Sequence, residues 1–422
     1  MDLLKVDTLE EAVEKLESKI INAYAKIMRT EEIEVSASYG RILAEDIYCE
    51  ENIPCFDRST VDGYAVFAVD VSGAGDNIPS FLRYTGEVKM GEEAGMRLER
   101  GCCVYVPTGA MLPEGADAVV MTEHCQPFGD DLIAVYSPVS SGANVVFEGD
   151  DIKKGEKVLC QGRKLKAADM GVLSAIGKTS VKVMQPWRIY ILSTGDELAP
   201  AGTFSRKGQV RDINTFGLIG EAQAYGFEIS GYSMLPDNKE QIKEKIKNHM
   251  AECDFIVISG GSSKGKKDET ADIIKELASD GVMTHGLAVK PGKPTIIGFD
   301  SPNACVLIGL PGHPAAAMMI FEVIVGMLWR KLSGNLDEQG EFTVECVMKH
   351  NMPSSPGRKT FQLVNIDFDN RETKTGLPYA EAVYGLSGMI ASLSKADGYI
   401  ITDINDEGIN RGQRVRVRLF MS

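Results

Sequence analysis

Leu9, Val13, Leu16 and Ile20 recur at helical spacing, and Thr8 with Glu11 three residues on makes a capping box, so an amphipathic helix should open the chain. Residues 1–30 read as largely helical. From 33 to 150 the pattern shifts to short apolar runs, at 61–69, 103–107, 118–122 and 132–136, separated by glycine and proline. That is the pattern of a β-rich module with long loops. Residues 151–182 are mixed, with Gly155, Gly162, Gly171 and Gly177 spaced as turns. From 187 to about 332 two periods alternate. Apolar runs at 189–192, 255–258 and 305–308 read as strands, and segments near 214–226, 268–278 and 314–332 read as helices. Ile242, Ile246 and Met250 place another helix behind Asp237, a candidate cap with Glu240 at the third position. Such alternation predicts a parallel sheet covered on both faces. Ser333-Gly-Asn335 reads as a linker, followed by strand-like runs at 342–347, 359–367, 382–384, 398–402 and 414–420. In the last run Arg414, Arg416 and Arg418 alternate with Val415, Val417 and Leu419, the mark of a half-buried strand. The expected fold class is α/β multidomain. A three-layer parallel α/β domain spans 187–332 and a β-rich domain 31–150. A small C-terminal β domain spans 336–422, and 1–30 with 151–186 form a mixed linking domain.

Composition narrows the function classes. The chain has 422 residues, too many for one ordinary core, with 44% hydrophobic and 25% charged residues, as in soluble globular proteins. No basic leader precedes an apolar stretch, and the apolar segment 315–329 is short and interrupted by Glu322. Nine cysteines form no C-x-x-C pair, which reads as reduced thiols in a cytoplasmic setting rather than a disulfide or zinc framework. A net charge of −15 argues against a general nucleic-acid binder, and no membrane segment is expected. Positive charge is nonetheless concentrated locally. Lys264, Lys266 and Lys267 follow one glycine turn, and Lys290 and Lys293 bracket Pro291-Gly292. Such spots suit a compact anion, although the first cluster also reads as a solvated face.

Three turns repeat one chemical idea: Ser193-Thr-Gly-Asp-Glu197, Ser259-Gly-Gly-Ser262 and Gly309-Leu-Pro-Gly-His-Pro314, each ending an apolar run. In an open α/β sheet such turns lie at the carboxyl ends of strands, where ligands bind in a shared crevice. Glycine lets backbone N–H groups approach an anion, which makes Ser259, Gly260, Gly261 and Gly312 candidate binding positions. The second turn matches neither G-x-x-x-x-G-K-[ST] nor G-x-G-x-x-G, so nucleotide-hydrolase and dinucleotide readings lose ground. Asp268, just beyond it, is either a helix cap or a carboxylate placed for a magnesium ion beside phosphates. Asp62-Gly63-Tyr64 and Pro107-Thr-Gly109, taken alone, are plain turns.

In their order these motifs are more specific than any one of them. Arg58-Ser-Thr-Val-Asp-Gly-Tyr-Ala65 and the run from Pro107-Thr-Gly109 to Val120 come first. Gly149-Asp-Asp-Ile152, Ser193-Thr-Gly-Asp-Glu-Leu198 and Ser259-Gly-Gly261 with Asp268 follow. Lys290-Pro-Gly-Lys-Pro294 and Gly309-Leu-Pro-Gly-His-Pro314 close the series. Over nearly its whole length the chain resembles the molybdopterin molybdenumtransferases, the molybdenum insertases that include the C-terminal domain of gephyrin. The resemblance implies an elongated homodimer, with the linking domain serving dimerisation and part of a site supplied by the partner subunit. It implies an enzyme that takes adenylyl-molybdopterin and molybdate, inserts the metal and releases AMP with Mg2+ assisting; tungstate is an alternative oxyanion. Molybdopterin adenylyltransferase and molybdoenzyme apo-proteins are the implied partners. Asp62, Thr108, Asp151, Glu197, Asp268, Lys290, Lys293, Pro311 and Pro314 fall on family site positions, with Glu197 and Asp268 the magnesium candidates. Arg358 and Ser387 match positions associated with the molybdate oxyanion. The sequence departs from the common pattern at Phe147-Glu148, where arginines are usual, at Pro236, where aspartate is common, and at Gly286, where some members carry lysine. These departures motivate a competing expectation, a non-catalytic carrier or scaffold for the pterin. Without the resemblance, a generic phosphate-ester hydrolase would be a third.

Overall fold

The Thr8 hydroxyl accepts from the Glu11 N–H while Glu11 Oε2 accepts from the Thr8 N–H at 2.9 Å, and the helix Leu9–Asn22 begins there. In the computed structural model, which describes residues 6–203, 206–260, 269–333, 343–385 and 390–420, the apolar stripe of this helix is buried. It packs into the same core as Trp187, Ile189 and Leu328, and Lys19 reaches Asp280 at 2.5 Å. The strand Thr30–Glu34 then pairs antiparallel with Ser180–Met184, tying together segments far apart in sequence.

The β-rich part is a six-stranded sheet in the order Ala118–Met121, Gly63–Val66, Cys102–Val106, Ser80–Glu87, Leu132–Val135 and Cys125–Phe128. Four of these strands fall on the apolar runs predicted for that region. Gly63 is required by sheet packing, since a Cβ there would lie 2.3 Å from the Val120 carbonyl oxygen.

The α/β part also has six strands, ordered Glu228–Leu235, Arg188–Thr194, Phe255–Gly260, Cys305–Leu310, Ile296–Asp300 and Val282–His285. Successive residues face opposite layers. Ile189 and Ile191 join a core with Leu218 and Ile320, whereas Tyr190 and Leu192 join one with Ile242, Ile246 and Ile274. Both faces are covered, which accounts for the unbroken apolar character of these strands. The first four strands are parallel, but Ile296–Asp300 runs antiparallel to both neighbours, a departure from the all-parallel expectation. Its cause is local. Asp300 and Cys305 are paired across a tight turn in which Asp300 accepts from the Asn303 side chain at 2.7 Å, and so short a connection joins only antiparallel strands. The helix Lys239–His249 is capped by Asn238, not Asp237. The continuous helix expected over 314–332 is three pieces: Pro314–Phe321, a π-helical turn Glu322–Gly326, and Met327–Leu332. At that turn Tyr225 Oη donates to Glu322 at 2.5 Å, and a Cβ on Gly326 would fall 2.2 Å from the same hydroxyl.

In the terminal domain the strands Thr343–Met348, Lys359–Arg371, Pro378–Ala382, Gly398–Thr402 and Arg414–Leu419 close on themselves. Lys359–Arg371 pairs with both Pro378–Ala382 and Gly398–Thr402, and the circuit completes through Thr343–Met348 and Arg414–Leu419. The result is a small barrel around Cys346, Val364, Ala380, Ile400 and Val417. A sixth element comes from the α/β part: Val289–Lys290 lies parallel to the first residues of Lys359–Arg371, with Lys290 opposite Thr360.

Candidate functional site

The carboxyl ends of Arg188–Thr194, Phe255–Gly260 and Cys305–Leu310 open onto one cleft of about 890 Å3, closed on its far side by the terminal barrel. Lining it are Glu197, Ser259, Gly260, Lys290, Lys293, Pro311, Gly312 and Pro314 from the α/β part, and Arg358 from the barrel. The three glycine turns and the lysine turn therefore converge, although more than a hundred residues separate Ser193 from Pro314. Gly261, Asp268, Ser387 and the lysine cluster at 264–267 lie outside the described residues.

Each turn has a physical reason for its shape. Gly260 has φ +123° and a Cβ there would sit 2.1 Å from the Thr194 carbonyl oxygen, so only glycine lets the two strand ends meet. At Gly195 the neighbour is the Glu197 carboxylate, 2.8 Å from an added Cβ, so the chain turns sharply and folds Glu197 back over it. Pro314 occupies the first turn of its helix, where a missing N–H costs nothing. The lysine turn is held by Thr295 Oγ1, which donates to the Gly292 carbonyl at 2.7 Å.

Beneath the cleft lies a buried polar layer that motif reading did not single out. Asp212 accepts from Thr215 Oγ1 at 2.6 Å and from Ser193 Oγ at 3.1 Å. Asn214 Nδ2 donates to Ser259 Oγ at 2.6 Å and to the Gly312 carbonyl at 2.9 Å, stapling the second and third turns together. The sequence signal was the polar run Asp212-Ile-Asn-Thr215 leading directly into the helix Asn214–Ala224, where burial of polar side chains demands partners.

Charge is segregated across the cleft. Lys290 and Lys293 are exposed, as is Arg358, and among the described residues none of the three is paired with a carboxylate. Lys290 Nζ instead donates to Ser355 Oγ at 2.7 Å. Toward the first turn the sign reverses: Glu197 lines the cleft, with Asp196, Asp237 and Glu269 near it but outside the lining. The carboxyl of Asp237 is pushed above the usual carboxylate range by burial and by repulsion from Asp196, Glu197 and Glu269. Crowded carboxylates of this kind favour a cation, so the donor chemistry around Glu197 suits a hard ion that keeps several waters. Among the described residues no ready-made cage of three or more ligands is present.

Asp62, Thr108 and Asp151 do not line this cleft. Asp62 and Thr108 are close to each other on the β-rich part: Asp62 Oδ1 accepts from the Thr108 N–H at 2.7 Å and from its hydroxyl at 2.9 Å, which holds the carboxyl below its ordinary range. The Asp151 N–H donates to the Ile53 carbonyl. In the corner where the sequence departs at Phe147-Glu148, Asn52 Nδ2 donates to Glu148 at 2.7 Å and the Glu148 N–H donates to Asp57. Among the described residues no helix is long and apolar enough to cross a membrane.

Comparison with known proteins matches three stretches of the chain. Residues 8–177 match the family model described as the MoeA N-terminal region (domain I and II), 190–330 a probable molybdopterin binding domain, and 345–420 the MoeA C-terminal region (domain IV). A putative molybdopterin biosynthesis protein from Methanocaldococcus jannaschii is 31% identical over 99% of this chain and 98% of its own. A molybdopterin molybdenumtransferase from Haemophilus influenzae is 28% identical over 97% of this chain and 98% of its own. A crystal structure of the molybdopterin biosynthesis MoeA protein from Pyrococcus horikoshii OT3 is 30% identical, with a TM-score of 0.81 over 99% of this chain and all of that one.

Proposed function

The chain belongs to the MoeA family, and from that premise we propose that it inserts molybdenum into adenylyl-molybdopterin, releasing AMP and the molybdenum cofactor. The observation that carries the reading is one cleft lined by Lys290, Lys293 and Arg358, none paired with a carboxylate among the described residues, together with Glu197, which is close enough to Asp237 to repel its carboxylate. Cleaving a phosphoanhydride needs the phosphate charge neutralised, and molybdate, a tetrahedral dianion, needs the same. Lys290 and Arg358 supply that charge to the oxyanion and Lys293 to the phosphate, while the turns at Ser259-Gly260 and Pro311–Pro314 offer backbone donors. Glu197, with Asp268 and Asp237, would hold Mg2+, which when bound neutralises phosphate oxygens and orients the leaving group. The buried layer of Asp212, Asn214 and Thr215 keeps the turns in register. Tungstate matches molybdate in shape and charge, so the same side chains would accept either.

Asp62, Thr108 and Asp151 enter this scheme through a homodimer, in which the β-rich part of one subunit completes the cleft of the other. A monomer mass for active protein would remove that element. The same reading takes molybdopterin adenylyltransferase as supplier and molybdoenzyme apo-proteins as acceptors, in a cytoplasmic setting. The decisive variants are Glu197→Gln and Asp268→Ala, each expected to slow AMP release by about tenfold or more. Unchanged release in both would overturn the reading. The acidic corner at Glu148, Asp150 and Asp151 favours the alternative of a non-catalytic pterin carrier, which tight pterin binding without any AMP release would establish.

A further inference from the structure

Lys290 is held by two parts of the molecule at once. Its backbone belongs to the lysine turn of the α/β part, yet it forms a strand on the barrel, where the Lys359 N–H donates to the Ala288 carbonyl at 2.9 Å and Lys290 sits opposite Thr360. Its ammonium donates to Ser355 Oγ at 2.7 Å, on the loop that leads to Arg358. Ser355 itself does not line the cleft, whereas Lys290 and Arg358 do. We propose that Ser355 is a positioning residue for the oxyanion substrate: its hydroxyl aims the Lys290 ammonium into the cleft beside Arg358 without neutralising it. The inference rests on the reading of Lys290 and Arg358 as binders of molybdate.

The choice of a hydroxyl is what gives the contact meaning. A carboxylate partner would satisfy the ammonium and compete with an anionic ligand for it, as happens to Lys359, which is paired with Glu10 and lies 3.8 Å from Asp403. A neutral acceptor takes one of the three ammonium donors and leaves the full positive charge for the ligand. It also fixes a side chain with four rotatable bonds, so less conformational freedom is lost when the oxyanion arrives. Lys293 shares the cleft but has no such tether among the described residues, so its contribution should not depend on the barrel loop.

The test is a double-mutant cycle on the full-length protein, read by calorimetric titration with molybdate and by the KM values of molybdate and adenylyl-molybdopterin in AMP release. Ser355→Ala should weaken molybdate binding about three- to tenfold, raise the KM for molybdate by a similar factor and leave that for adenylyl-molybdopterin unchanged. Ser355→Thr should restore binding, and Ser355→Asp should weaken it more than alanine does, by capturing the ammonium. In a Lys290→Met background Ser355→Ala should have no further effect, because the serine acts only through the lysine. An undiminished effect of Ser355→Ala in that background, or equal changes for both substrates, would show a merely structural role and overturn the proposal; so would wild-type affinity in Ser355→Ala. If the wild-type protein binds molybdate but releases no AMP, the transferase reading fails, while the calorimetric cycle still decides the role of Ser355.

Discussion

Replacing Gly292 by alanine strikes the lysine turn at its narrowest point. Gly292 is buried with φ +111°, and a Cβ there would lie 2.2 Å from Ile320 Cδ1 and 2.3 Å from its Cγ1. Ile320 is fully buried in the helix Pro314–Phe321, which itself begins at the cleft. Two costs follow. A non-glycine residue at that φ stores about 1–3 kcal/mol of backbone strain, and forcing a methyl into the packed core adds about 1–3 kcal/mol. The total of about 2–6 kcal/mol corresponds to a fall in melting temperature of roughly 5–20 °C for a domain of this size. Part of the strain should relax by displacing the turn, so molybdate affinity should fall with stability, because Lys290 and Lys293 flank the substituted residue. Thermal unfolding by circular dichroism with calorimetric molybdate titration measures both. Gly220→Ala is the control: it lies exposed in the helix Asn214–Ala224 with nothing within 4 Å of an added Cβ, and should stabilise by about 0.5–1 kcal/mol. A Gly292→Ala protein melting within a degree of wild type with unchanged affinity would refute this account of the turn.

Other consequences are open to measurement. Gly195→Ala should leave the melting temperature nearly unchanged, because the atoms it meets are the far end of the Glu197 side chain. It should instead shift the magnesium dependence of AMP release, and an unaltered magnesium titration would remove Glu197 from that role. Burial, with repulsion from Glu322, raises the Glu221 carboxyl well above its ordinary value of 4.5, and its Oε2 is buried without a partner among the described residues. The protonated form is thus favoured in the fold, and that contribution is lost as pH rises above about 4.5. Glu221→Gln should therefore gain on wild type in melting temperature as pH rises from 4.5 to 8, and a constant difference would contradict it. Hydrogen bonds from Lys19 and then Ser301 lower the Asp280 carboxyl from 3.8 to about 2. The stabilisation is complete above 3.8 and lost as pH falls toward 2, so the gap in urea midpoint between wild type and Asp280→Asn should close over that window.

The elements most legible in the sequence were those whose signal is local. The Thr8–Glu11 box, the runs leading to Ser193 and Ser259, and the alternation of Arg414, Arg416 and Arg418 each report a structure formed by near neighbours. The turns were legible as turns because glycine, proline and acid gathered at the end of an apolar run break a strand locally. What escaped was long-range pairing. Nothing near Val289–Lys290 announces that it joins the barrel beside Lys359–Arg371, and barrel closure depends on which strands meet rather than on any one strand. Asp237 read as a cap by its spacing, but Asn238 takes that place and leaves Asp237 among Asp196, Glu197 and Glu269. The π-helical turn at Glu322–Gly326 was hidden for the same reason, since its partner Tyr225 lies nearly a hundred residues away.

The central claim is that this cleft couples oxyanion binding to cleavage of a phosphoanhydride. Purified full-length protein mixed with adenylyl-molybdopterin and magnesium, with and without molybdate, tests it directly when AMP release and activation of a molybdoenzyme apo-protein are followed together. The account predicts that both signals appear and both require molybdate. Pterin binding with no AMP released in either condition would contradict it.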